Sequence, residues 1–148
     1  MTTANSEETS PASYDLTTER AMPFAPDVLY RAWTEQFDLW FAVRGTVRMQ
    51  PKQGEPFYFE TDYQGSRHPH YGRFLRLIPG RLVELTWVTG AGGTQGAETV
   101  VTVELTSENP DRTHLKLTHA GFATEQDRDR HRDAWPLVLD QMQQSLSD

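Results

Sequence analysis

From Glu55 to His119 apolar residues recur at every second position, and from Trp135 onward they recur at every third or fourth. That switch of period restricts the fold more than any other feature of the chain. Phe57, Phe59, Thr61 and Tyr63 share one face of a first run. Val83, Leu85 and Trp87, then Val101, Val103 and Leu105, then Leu115, Leu117 and His119 do the same in later runs. Such alternation predicts strands with one buried face, over 55–63, 70–78, 82–88, 99–105 and 114–119. Gln64-Gly65-Ser66, Pro79-Gly80 and Asn109-Pro110-Asp111 mark turns between them. Connections this short favour an antiparallel meander. Gly90 to Gly96 holds four glycines and predicts a flexible loop.

The last segment reads as a helix. Trp135, Val138, Leu139, Met142 and Leu146 fall at i, i+3, i+4, i+7 and i+11. Thr124-Glu125-Gln126-Asp127 resembles a capping box, and His131 lies one turn before Trp135 on the same stripe. Pro136 interrupts the pattern at a cost of ~3 kcal/mol and predicts a bend. A helix of about 22 residues spans ~33 Å, enough to cross a sheet. Upstream, Tyr14 to Met22 reads as a strand, and Pro26 opens a helix carrying Val28, Leu29, Ala32 and Trp33. Thr34 is placed to cap a second short helix with Phe37, Leu39, Trp40 and Phe41, and Arg44 to Met49 reads as a further short strand. The expected fold is α+β: a curved antiparallel sheet of six to seven strands around a long C-terminal helix, with two short helices after the first strand.

The 148 residues suit one domain, over 13–148, after a polar tail at 1–12 whose composition predicts disorder. The net charge of −7 comes without a basic stripe, so nucleic acid is not an expected partner. Arg128, Arg130 and Arg132 are interleaved with Asp127, Asp129 and Asp133, a run expected to be solvated. The lack of cysteine excludes disulfides and thiolate metal sites. Met1 to Ser13 has neither the basic nor the apolar region of a signal peptide, and no apolar run approaches the ~20 residues that span a bilayer. A cytoplasmic protein without membrane partners is expected, with a homodimer left open.

Several segments carry a family resemblance. Phe24-Ala25-Pro26-Asp27-Val28-Leu29-Tyr30-Arg31-Ala32-Trp33 followed by Leu39-Trp40-Phe41 resembles the opening of the START-like (SRPBCC) superfamily. Within it, the chain is similar to the family named for the activator of the 90-kilodalton heat-shock-protein ATPase. Tyr71-Gly72-Arg73-Phe74, Ile78-Pro79-Gly80-Arg81-Leu82-Val83 and Thr86-Trp87 fit as well, as do Leu115 to Phe122, His131 and Ala134-Trp135-Pro136. Many relatives have glycine where this chain has Ala134. The resemblance implies the helix-grip fold, also that of the birch-pollen allergen, with a cavity between sheet and last helix. It leaves the chemistry open, because this fold serves carriers, receptors, cyclases and co-chaperones.

Within that frame the candidate ligand-binding residues are Trp40, Phe59, Tyr71, Trp87, His119, Phe122, Trp135 and Leu139. Aromatic and aliphatic side chains with a few polar groups are what small-molecule pockets are made of. An empty cavity of ~300 Å³ would cost about 7 kcal/mol, so a smaller one is expected. His119 is the sharpest polar candidate, for hydrogen bonding or for titration near neutrality, and His131 points to the same space. His68 and His70 would share one face of a strand, but two ligands do not make a metal site. The chain has no G-x-S-x-G, H-E-x-x-H or P-loop pattern, and no cofactor is expected. The leading expectation is a non-catalytic binder of a small apolar or aromatic molecule. The alternatives are a cyclase- or aromatase-like enzyme using His119 or Tyr71 as acid or base, and a co-chaperone-like module.

Overall fold

The computed structural model describes residues 14–147, so the expected tail over 1–12 lies outside the described residues. The alternating segments pair into one six-stranded antiparallel sheet. In chain order the elements are β1 (Tyr14–Met22), α1 (Pro26–Thr34), a 3₁₀ turn at Phe37–Leu39, β2 (Pro56–Tyr63), β3 (Ser66–Ile78), β4 (Leu82–Trp87), β5 (Thr99–Asn109), β6 (Arg112–Phe122) and α2 (Glu125–Ser147). The strand order across the sheet is β1-β6-β5-β4-β3-β2. Strands β2 to β6 form a meander, and β1 closes on β6 because the chain's first strand finds its partner in the last. Helix α1 packs on β4 and β5, and α2 lies chiefly against β1 and β6. This is the helix-grip arrangement.

Local chemistry explains the joints. Gln64 and Gly65 both have positive φ, 53° and 80°, as a two-residue type I′ hairpin requires between the paired Tyr63 and Ser66. The Thr124 hydroxyl accepts from the Asp127 N–H at 3.1 Å and caps α2. Helix α2 continues through Pro136, whose carbonyl accepts from the Arg20 guanidinium at 3.2 Å. The same guanidinium pairs with Asp140 at 2.6 Å and ties the helix to β1.

The core lies between sheet and helices. Val83, Leu85, Val101, Val103, Leu115 and Leu117 are fully buried on the sheet's inner face. Trp33 sits over them, 5.5 Å from Phe37, 5.0 Å from Trp40 and 6.0 Å from Trp135. From α2, Trp135, Leu139 and Met142 enter this layer.

Four local expectations are corrected. Thr34 is the last residue of α1, not the cap of a second helix, because its hydroxyl turns back to the Tyr30 carbonyl at 2.8 Å. The second helix shrinks to the 3₁₀ turn. Residues 44–49 make one bridge, Arg48 to Tyr58, in place of a strand, which leaves six strands among the described residues. Asp127 is buried, not solvated, at 1% exposure. It accepts from Gln95 at 2.8 Å and pairs with Arg130 at 2.5 Å. Those bonds bring the glycine-rich segment onto the start of α2. Burial raises the Asp127 carboxyl, but the hydrogen bonds from Gln95, Arg130 and Thr124 outweigh it and hold the group below the usual carboxylate range.

Gly72 is where β3 comes too close to β4 for any side chain. A Cβ there would collide with the Thr86 carbonyl, whose carbon lies 2.7 Å away, while the Thr86 hydroxyl accepts from the Arg73 N–H at 2.9 Å. A Cβ on Gly90 would meet open space. Gly72→Ala is therefore expected to destabilise the fold by about 1–3 kcal/mol in urea denaturation, against less than about 0.5 kcal/mol for Gly90→Ala.

Candidate functional site

The sheet and α2 are joined at one buried polar contact. His119, on β6, is fully buried, as the alternation with Leu115 and Leu117 requires. The Trp135 indole Nε1 donates to His119 Nδ1 at 3.0 Å. Indole is a donor only, so Nδ1 carries no proton, and the ring proton sits on Nε2. His119 Nε2 then donates to the Thr99 hydroxyl at 2.7 Å, which in turn donates to the Trp87 carbonyl at 2.5 Å. The direction of every bond follows from its two ends, a donor that cannot accept and a carbonyl that cannot donate. Burial, with the nearby His131, pushes the His119 pKa down to about 2. His119 is thus a neutral strut.

Beside this contact a cleft of about 470 Å³ opens between α2, the β2–β3 hairpin and the segment after β4. Phe41, Trp87 and Trp135 form its aromatic wall. Thr61 and His70 line it from the hairpin, with Tyr63 and His68 at the rim. His131, Ala134, Val138 and Gln141 line it from α2. Thr89 to Gly93 make the opposite lip. That lip, expected as a flexible loop, is held by its own hydrogen bonds. The Thr89 N–H donates to the Thr94 hydroxyl at 2.9 Å and the Thr94 N–H to the Thr89 hydroxyl at 2.7 Å. Arg130 also donates to the Gly93 carbonyl at 3.2 Å.

Of the eight candidate residues the cleft includes Trp87 and Trp135. The other six lie elsewhere, each for a physical reason. Trp40 is buried under α1, its indole N–H held by the Ala32 carbonyl at 2.9 Å. Phe59 is fully buried between Phe37 and His70, at ring distances of 4.7 and 5.0 Å. Phe122 packs 4.3 Å from the His119 ring, and Leu139 is sealed in the core. His119 is sealed as well, with both nitrogens engaged. Tyr71 is displaced to the outside, 47% exposed, because it alternates with the inward His70.

Phe41, His70, Val138 and Gln141 were not candidates, although the helical stripe included Val138 and the period-2 pairing of His68 with His70 hinted at another. His70 is 8% exposed, stacked on Phe59 and set edge-on to Phe41 and Trp87 at 5.4 and 5.3 Å. Its Nδ1 donates to the His68 carbonyl at 3.0 Å. Burial lowers its pKa to about 4. His131 repeats the pattern, with Nδ1 donating to the Asp127 carbonyl at 2.8 Å and burial lowering its pKa. Among the described residues no group of three or more His, Asp or Glu is gathered to hold a metal ion. None of the described helices is long and apolar enough to cross a membrane.

His119→Phe leaves the Trp135 N–H and the Thr99 hydroxyl without their partner and is expected to cost about 2–5 kcal/mol in urea denaturation. The pH dependence has a definite sign. His119 and His70 bind protons near pH 6.5 when unfolded but only at about 2 and about 4 when folded. Below pH 6.5 the unfolded chain therefore binds the extra protons, and stability falls as pH falls, by about 1.4 kcal/mol per pH unit for each histidine down to pH ~4. The His119→Phe variant should show the smaller slope between pH 6 and 5.

Comparison with known proteins agrees with the geometry. Among solved structures the chain is similar to protein MLL2253 from Mesorhizobium loti, at 23% identity and a TM-score of 0.74, over 90% of this chain and 97% of that one. It is also similar to protein CV1439 from Chromobacterium violaceum, at 18% identity and a TM-score of 0.76, over 90% and 98%. CalU16 from Micromonospora echinospora follows at 23% identity and a TM-score of 0.70, over 91% and 77%. At these identities the likeness is one of fold. A search among curated proteins found no match. Residues 23–147 match the family described as Activator of Hsp90 ATPase homolog 1-like protein, and the chain belongs to that family.

Proposed function

We propose that the protein binds a small, largely aromatic molecule in the cleft beside α2 and performs no chemistry on it. The observation that carries this reading is the open volume itself, about 470 Å³ walled by Phe41, Trp87 and Trp135 and not filled by side chains. That volume falls within the ~300–1,000 Å³ usual for small-molecule sites. The apolar wall supplies affinity, and the strut at His119 keeps it in place without a ligand. The cyclase-like alternative relies on an acid or base at the cleft, and the two residues named for it, His119 and Tyr71, stand in the core and on the outer surface.

A thermal-shift screen of neutral aromatic compounds tests the reading. A binder at about 100 times its Kd adds about 2.7 kcal/mol, a rise in Tm of roughly 5–10 °C. Ala134 is exposed and lines the cleft, so Ala134→Trp should fill the space, leave the basal Tm within a few degrees and abolish the shift. A screen without any stabilising compound, or a shift that survives Ala134→Trp, contradicts the proposal.

A further inference from the structure

Three polar side chains around the cleft share an arrangement the proposed function does not require. Each donates from a side-chain nitrogen to a main-chain carbonyl. His70 Nδ1 donates to His68, His131 Nδ1 to Asp127, and the Gln141 amide nitrogen to Trp40, at 3.0, 2.8 and 2.7 Å. A neutral imidazole with a protonated Nδ1 keeps an acceptor at Nε2, and an amide whose nitrogen is engaged keeps an acceptor at Oε1. All three residues line the cleft, and among the described residues no hydrogen bond engages these acceptor atoms. The most constrained is His70. Its ring is 8% exposed and wedged among Phe41, Phe59 and Trp87, so it cannot turn to seek another partner. What remains exposed of it opens on the cleft that it lines.

From this we infer that the cleft selects a neutral aromatic molecule bearing a hydroxyl group, a phenol, whose O–H donates to His70 Nε2 while its ring lies against Trp87 and Trp135. The inference rests on the reading of the cleft as a ligand site and deepens it. An acceptor covered by an apolar ligand loses its water and gains nothing in return, whereas a phenol supplies the missing proton. Burial keeps His70 unprotonated at neutral pH, so the acceptor persists. An aromatic carboxylate is disfavoured, because it has no proton to give to His70 Nε2 and Asp62 also lines the cleft.

The test uses the whole chain and three matched probes, 2-naphthol, 2-methoxynaphthalene and 2-naphthoate, with binding read by isothermal titration calorimetry at pH 7.5. The expected result is that 2-naphthol binds about tenfold more tightly than its methyl ether and that the carboxylate binds no better than the ether. His70→Phe retains an aromatic ring in the stack and removes the acceptor, so naphthol and ether should then bind alike. Equal binding of naphthol and ether to the wild-type protein overturns the inference while leaving the cleft as an aromatic site. The naphthol preference surviving in a folded His70→Phe protein overturns it too. Failure of all three probes, together with a silent thermal-shift screen, overturns the reading of the cleft itself. The wild-type comparison needs no variant to fold.

Discussion

The hydrogen bond from the Trp135 indole to His119 is the contact on which the rest of the structure depends. It is where the C-terminal helix meets the sheet through polar atoms in an otherwise apolar layer. A hydrogen bond there is directional in a way that apolar packing is not. It sets the rotation of α2 about its axis, and through Thr99 it reaches the Trp87 backbone at the end of β4. Trp87 and Trp135, 5.7 Å apart, are thereby held as neighbours. Their outer surfaces become one wall of the cleft. An unpaired polar group in this layer would cost about 1–3 kcal/mol, so each member of the chain is needed once the others are present.

The fold was legible because its signals are local and repeated. Alternation identified the strands between Glu55 and His119, and the period change at Trp135 identified the helix that grips. The failures lie where tertiary packing overrides a local preference. Thr34 has the chemistry of a helix cap, yet its hydroxyl finds the Tyr30 carbonyl of its own helix first. Asp127 sits in a run of charges and reads as solvated, but Gln95 and Arg130 close over it from a distant loop and from the next turn. Nothing in the sequence near Asp127 announces Gln95.

The candidate site was legible only in part, for a similar reason. Alternation shows that a residue faces inward, not whether it meets another side chain or a gap. Phe59 and His70 are cross-strand partners, both inward, yet Phe59 is enclosed and His70 retains an edge on the cleft. His119 was placed correctly on the inner face, but its two partners come from β5 and α2 and consume it. A small space is expected only where the void is enclosed and empty. The actual space is larger because it is a cleft, open between the hairpin and the glycine-rich lip.

The distinction between a structural histidine in the core and acceptor histidines at the cleft is the centre of this account. Nitrogen-15 NMR of the imidazole rings between pH 7.5 and 5 tests it most directly. His119 should keep its proton on Nε2 and not titrate, while His70 and His131 should keep theirs on Nδ1 at neutral pH. A His119 ring with its proton on Nδ1, or one that titrates near pH 6.5, would contradict it.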